Sequence, residues 1–142
     1  MRLAIEKARE GIQHGQTPFG ACIARAGEVV SCTHNVVWET MDTIREACRK
    51  LQTIDLSGYV IYSTCEPCPM CFAACHWARI SRIVYGANIQ DAQRSGFHEL
   101  TIPSTRMKEL GGSPVEIAGD FLRDEAVELF NFFDQQPHKR TY

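Results

Sequence analysis

Nine residues near the middle of the chain, Ser63-Thr64-Cys65-Glu66-Pro67-Cys68-Pro69-Met70-Cys71, hold three cysteines and two prolines. Cys68 and Cys71 have C-x-x-C spacing, which on a helix projects both sulfurs from one face about a turn apart. If a helix begins at this motif, its dipole favours negative charge there and lowers the thiol pKa. Such a pair can ligate a tetrahedral metal ion, exchange disulfides, or lie inert in a core. Redox motifs of the thioredoxin kind sit near a βαβ pattern. This one comes mid-chain, after a hairpin and a helix, so the spacing favours metal binding by Cys68 and Cys71.

A catalytic zinc ion takes three protein ligands and keeps a fourth position for water. The histidines are His14, His34, His76, His98 and His138. His76 follows Cys68 by eight residues, about 12 Å along a helix axis, too far to share one ion. His34 ends a predicted hairpin and can approach a nearby pocket. Cys75 lies one turn beyond Cys71, at a spacing that also places it in the core. Glu66 adjoins the motif and can reach an ion, whereas Glu39 and Glu46 read as a loop charge and a helix cap. No convincing third ligand stands in the sequence.

The elements that must position these residues follow from apolar periodicity. Ile5, Ala8 and Ile12 predict an amphipathic helix over 2–14. Two short apolar runs around Ala26-Gly27-Glu28 predict a β-hairpin. Ile44, Ala47, Cys48 and Leu51 share one face of a helix over 43–53, with Thr43 and Glu46 at capping-box spacing. The run 59–64 predicts a buried strand, and Pro67 suits the first turn of the following helix, to about Arg79. Strands over 82–87 and 114–119, a short helix near 103–110 and a final helix from about Asp120 complete a single α/β domain with a hairpin at its start.

Composition narrows the function classes. The chain has 142 residues, and a formal net charge of −2 without a basic face argues against a nucleic-acid backbone as partner. Residues 1–15 lack the apolar core of a signal peptide, and no apolar run is long enough to span a bilayer. The expectation is a soluble cytoplasmic protein with no membrane partner. Its seven cysteines are then expected to be mostly reduced, with Cys22, Cys32 and Cys48 as small buried hydrophobes.

Thr64 to Cys71, with a strand before it and Trp77-Ala78-Arg79-Ile80 and Val84-Tyr85-Gly86-Ala87 after it, resembles the zinc-dependent nucleobase and nucleoside deaminases. The likeness runs from Gly15 through Asp91-Ala92-Gln93-Arg94-Ser95-Gly96-Phe97 to Thr141-Tyr142. The family signature pairs H-x-E with P-C-x-x-C. The second half is present from Pro67 to Cys71. The first half is missing: relatives carry a segment such as D-P-T-A-H-A-E-V-x-x-I-R where this chain reads Asp42-Thr43-Ile44-Arg45. Roughly eight residues, about two helical turns, are gone.

The resemblance implies a three-layer α/β/α cytidine-deaminase-like domain with a mixed sheet of about five strands, a Zn2+ cofactor and a homodimer. It implies hydrolytic deamination of a nucleobase or nucleoside, guanine favoured, with tRNA adenosine deamination as an alternative. No catalytic residue is identifiable, because the proton-shuttling Glu is missing between Asp42 and Thr43, and the chain is expected to be inactive as written. A non-catalytic binding or structural subunit fits the same gap, and a redox protein using Cys68 and Cys71 is a third class. For the substrate, the resemblance points to Asn35, Glu99, Trp77 and Phe19. Asn35 also reads as a turn residue, and Trp77 and Phe19 as core. The His138–Tyr142 tail resembles guanine-deaminase tails that close over the pocket, or is a frayed terminus.

Overall fold

The computed structural model describes residues 1–35 and 43–142. Along the chain run α1 (Arg2–Gln13), β1 (Gly20–Arg25), β2 (Glu28–His34), α2 (Thr43–Leu51), β3 (Val60–Cys65), α3 (Pro69–Trp77), β4 (Arg82–Ala87), α4 (Ile89–Arg94), α5 (Ser104–Gly111), β5 (Glu116–Ala118) and α6 (Arg123–Asp134). The five strands form one sheet in the order β2-β1-β3-β4-β5. β1 pairs antiparallel with β2 and β3, while β3, β4 and β5 run parallel. The sheet is therefore mixed, and helices cover both faces.

Side-chain alternation divides the core into two layers. Ile5, Ala8 and Ile12 of α1 pack with Leu129, Phe130 and Phe133 of α6 and with Phe97. On the other face Ile23, Ile61 and Ile83 of the sheet meet Ala47 of α2 and Phe72 and Cys75 of α3. Two glycines let the first layer approach closely. A Cβ on Gly20 would stand 2.3 Å from the Ala4 carbonyl oxygen, and one on Gly86 would stand 2.5 Å from the Ala126 Cβ.

The hairpin forms where expected, with Ala26 and Gly27 at positive φ in the two-residue loop that suits the twist of paired strands. Local departures have local causes. Pro69, rather than Pro67, takes the first helical position of α3, with Cys68 as N-cap in extended backbone. Thr43 lies inside α2, so it does not cap it. Its hydroxyl contacts the Thr33 hydroxyl, and Glu46 pairs with Lys50 at 3.1 Å. The position that would cap α2 lies outside the described residues. Cys22 and Cys32 stand directly opposite across β1 and β2 and are joined in a disulfide. This corrects the expectation of separate thiols, since period-2 spacing alone does not reveal the cross-strand register. No helix among the described residues is long and apolar enough to cross a membrane.

Candidate functional site

The motif lies at the carboxyl ends of parallel strands β3 and β4, where open α/β sheets bind ligands. β3 ends at Cys65, and the Glu66 N–H donates to the Ala87 carbonyl at 2.8 Å. The Glu66 side chain is 6% exposed. Its carboxylate accepts the Ser104 N–H at 2.8 Å and the Ile89 N–H at 3.4 Å, while Ser104 Oγ donates to the Pro67 carbonyl at 3.1 Å. One buried carboxylate thus ties the turn before Cys68 to the starts of α4 and α5. That use of Glu66 was not legible in the sequence, which offered it only as a possible metal neighbour.

Cys68 and Cys71 face one another at the start of α3. The Cys71 thiol is directed at the Cys68 sulfur, and the N–H groups of Cys71 and Met70 approach the same atom. Together these lower the Cys68 thiol to about 7, against the opposing effect of burial. Cys71 is pushed well up, because its proton is held by Cys68 and because of burial. Burial also raises Cys75 to about 12 and raises Cys65.

Glu99 carries charge close enough to raise both motif thiols. Burial raises its own carboxyl, and the Tyr142 hydroxyl, donating to Oε1 at 3.1 Å, partly offsets this. The Tyr142 carbonyl accepts the His98 N–H at 2.8 Å, and its ring meets Phe97 edge-on at 5.3 Å. Phe97 also contacts Phe19 at 4.9 Å, and the Phe19 carbonyl accepts the Asn35 N–H at 2.7 Å. Asn35 Nδ2 donates to Thr17 Oγ1 at 3.0 Å. A continuous path of contacts therefore links Asn35, Phe19, Phe97, Tyr142 and Glu99 to the thiols.

Trp77 stands apart from this group. It is 81% exposed at the last residue of α3, in a surface groove with Ile54, His76 and Ser113. Of the four substrate candidates, Glu99 lies close to Cys68 and Cys71, Asn35 and Phe19 join it through Phe97 and Tyr142, and Trp77 stands at the opposite end of α3.

The donor set fits only part of a zinc centre. Two thiols converge, but among the described residues no group of three His, Cys, Asp or Glu side chains could hold an ion. Gly20 and His34 are register partners facing α1, and the His34 ring packs against Gly11 there, in the layer opposite α3. His76 Nδ1 lies 2.9 Å from Ser113 Oγ, and His14 Nδ1 lies 2.9 Å from the Glu10 carbonyl. Glu39 lies outside the described residues. A catalytic zinc site needs three protein ligands, and the described side chains stop at two.

Residues 1–87 match the family described as the cytidine and deoxycytidylate deaminase zinc-binding region. A guanine deaminase of Bacillus subtilis (strain 168) is 35% identical over 108 residues, spanning 70% of this chain and 69% of that protein. A tRNA-specific adenosine deaminase of the same organism is 29% identical over 148 residues, spanning 99% and 89%. A solved structure in complex with 2,6-diaminopurine has 26% identity and a TM-score of 0.84, covering 94% of this chain and 79% of that one. Both sequence alignments hold more positions than this chain supplies residues, by about eight, or roughly two helical turns. The H-x-E segment that the sequence resemblance leaves unaccounted for is of that size.

Proposed function

The chain belongs to the cytidine and deoxycytidylate deaminase zinc-binding family, and from that premise we propose a purine-nucleobase site, guanine first, which holds its base without completing hydrolysis. The placement of Glu99 carries this reading: a half-buried carboxylate near both motif thiols, under the terminal Tyr142. A carboxylate accepts N–H donors from a purine edge, an amide such as Asn35 offers both a donor and an acceptor, and Phe19 supplies an apolar wall. The relatives named guanine deaminase, and the one bound to 2,6-diaminopurine, support a purine.

Zinc in this family's site supplies an activated water, and here Cys68 and Cys71 would be its ligands. Hydrolysis also needs a group that moves protons from water to the ring and to the departing ammonia. Glu66 is committed to two backbone N–H groups and Glu99 to Tyr142. With the H-x-E segment gone, the reading is base retention with weak zinc binding and negligible turnover. The same reading takes the cytoplasm as location and a homodimer as the assembled form; a purely monomeric sedimentation profile at micromolar concentration would count against the dimer.

Editing of tRNA is the second reading, favoured by the 99% coverage in the tRNA-specific relative. Net charge weighs against it. Calorimetric titration with guanine, adenine, cytosine, cytidine and a tRNA anticodon stem, with ammonia measured in parallel, tests both. Guanine is expected to bind tightest with no ammonia released; binding or turnover confined to the tRNA stem would overturn the purine reading.

A further inference from the structure

We propose that Thr17 is a positioning residue of the base site: its hydroxyl holds the Asn35 side-chain amide and leaves Oδ1 as the acceptor for an N–H of the purine. This inference rests on the purine reading above and names the edge chemistry by which that site selects its base.

Asn35 is held at two points. Its backbone N–H donates to the Phe19 carbonyl at 2.7 Å, and its Nδ2 donates to Thr17 Oγ1 at 3.0 Å. A structural turn is already closed by the backbone bond. The side-chain bond adds a direction, because it sets which side of the amide carries NH2 and which carries oxygen. An amide fixed in this way loses little rotamer freedom when a ligand binds.

The holder is itself rigid. Thr17 is fully buried, and its β-branched side chain has few χ1 choices. On one side the Gln16 N–H donates to the Gly11 carbonyl at 2.9 Å and ties the segment to the end of α1. On the other, Thr64 Oγ1 donates to the Pro18 carbonyl at 3.4 Å and accepts the Gly20 N–H at 3.0 Å, which ties it to β3. Asn35, by contrast, is half-buried. A fully buried hydroxyl thus serves a residue that still reaches solvent.

Selectivity follows from the atom left over. An amide oxygen accepts and cannot donate, so it favours a base that presents N–H and repels one that presents a bare ring nitrogen. Guanine offers N–H at N1 and at its 2-amino group. Adenine has a bare N1 and no 2-amino group.

Calorimetric titration of the full chain with guanine and adenine tests this through a double-mutant cycle. Thr17→Val keeps the shape, removes the hydroxyl and should weaken guanine about tenfold, as should Asn35→Ala. Because one residue acts through the other, the double variant should lose about tenfold rather than about a hundredfold. The guanine-to-adenine affinity ratio should also fall about tenfold in Thr17→Val, since an unheld amide can turn its NH2 to adenine N1. Thr17→Ser should restore both. Additive losses, or Thr17→Val within about twofold of the parent while Asn35→Ala loses affinity, would overturn this inference and leave the purine reading standing. Guanine bound no better by the parent than by Asn35→Ala would sink the inference together with that reading. If Thr17→Val does not fold, NMR of the parent chain decides. The nuclear Overhauser contact between the Asn35 Nδ2 protons and the Thr17 methyl should persist at saturating guanine, and its loss on binding would refute the proposal.

Discussion

Glu66 gives the sharpest energetic prediction, because a buried carboxylate here serves two backbone donors on two different helices. Glu66→Ala leaves the Ser104 and Ile89 N–H groups without their acceptor. An orphaned buried donor costs about 1–3 kcal/mol, so the loss for two is about 2–6 kcal/mol. Glu66→Gln keeps the shape and one acceptor oxygen but turns an NH2 toward the Ile89 N–H, at a cost of about 1.5–3 kcal/mol. In reductant and without metal, urea unfolding with a slope of about 1–3 kcal/mol per molar should show the midpoint falling by about 1–2 M for the alanine variant, and by less for glutamine. If both variants stay within about 0.5 kcal/mol of the parent, the size of an ordinary surface change, the bracing role of Glu66 is refuted.

For the thiols, the folded Cys68 value of about 7 lies below the 9.0 of an unperturbed thiol. Its thiolate is therefore present near neutrality, and alkylation of the metal-free chain should rise as pH climbs through about 7; a midpoint near 9.0 would contradict this. Gly86→Ala places a Cβ 2.5 Å from the Ala126 Cβ and should cost about 1–3 kcal/mol in a urea melt through overpacking. Asn35→Ala should weaken guanine binding about tenfold, one hydrogen bond's worth. Trp77→Ala, at the far exposed end of α3, should leave guanine affinity unchanged in the same titration, and a comparable loss there would return Trp77 to the site.

Local pattern carried much of this fold. The period of Ile5, Ala8 and Ile12 marks the buried stripe of α1, and the hairpin is legible at Ala26-Gly27. The six-residue helix α4 was not foreseen, since Ile89–Arg94 is too short for a period; its start is fixed by Asn88 and Asp91 bonding each other's backbone N–H. Within the site, the thiol pair is visible because three-residue spacing on a helix is itself geometry. The Glu66–Ser104 and Glu99–Tyr142 hydrogen bonds span 38 and 43 residues of chain. Such contacts arise from tertiary folding and leave no mark in any local pattern. The same holds for the Cys22–Cys32 register and for the separation of Trp77 from Glu99.

Zinc content and ammonia release, measured together on the full chain produced in zinc-supplemented medium and mixed with guanine, test the central claim most directly. The account predicts zinc well below one ion per chain, most of it removed by mild chelation and absent from Cys68→Ala, with ammonia at the level of that variant. Inserting an H-A-E-containing segment between Asp42 and Thr43 should raise both. One tightly held zinc per unaltered chain together with sustained ammonia release would contradict the claim that these residues hold a base without completing its hydrolysis.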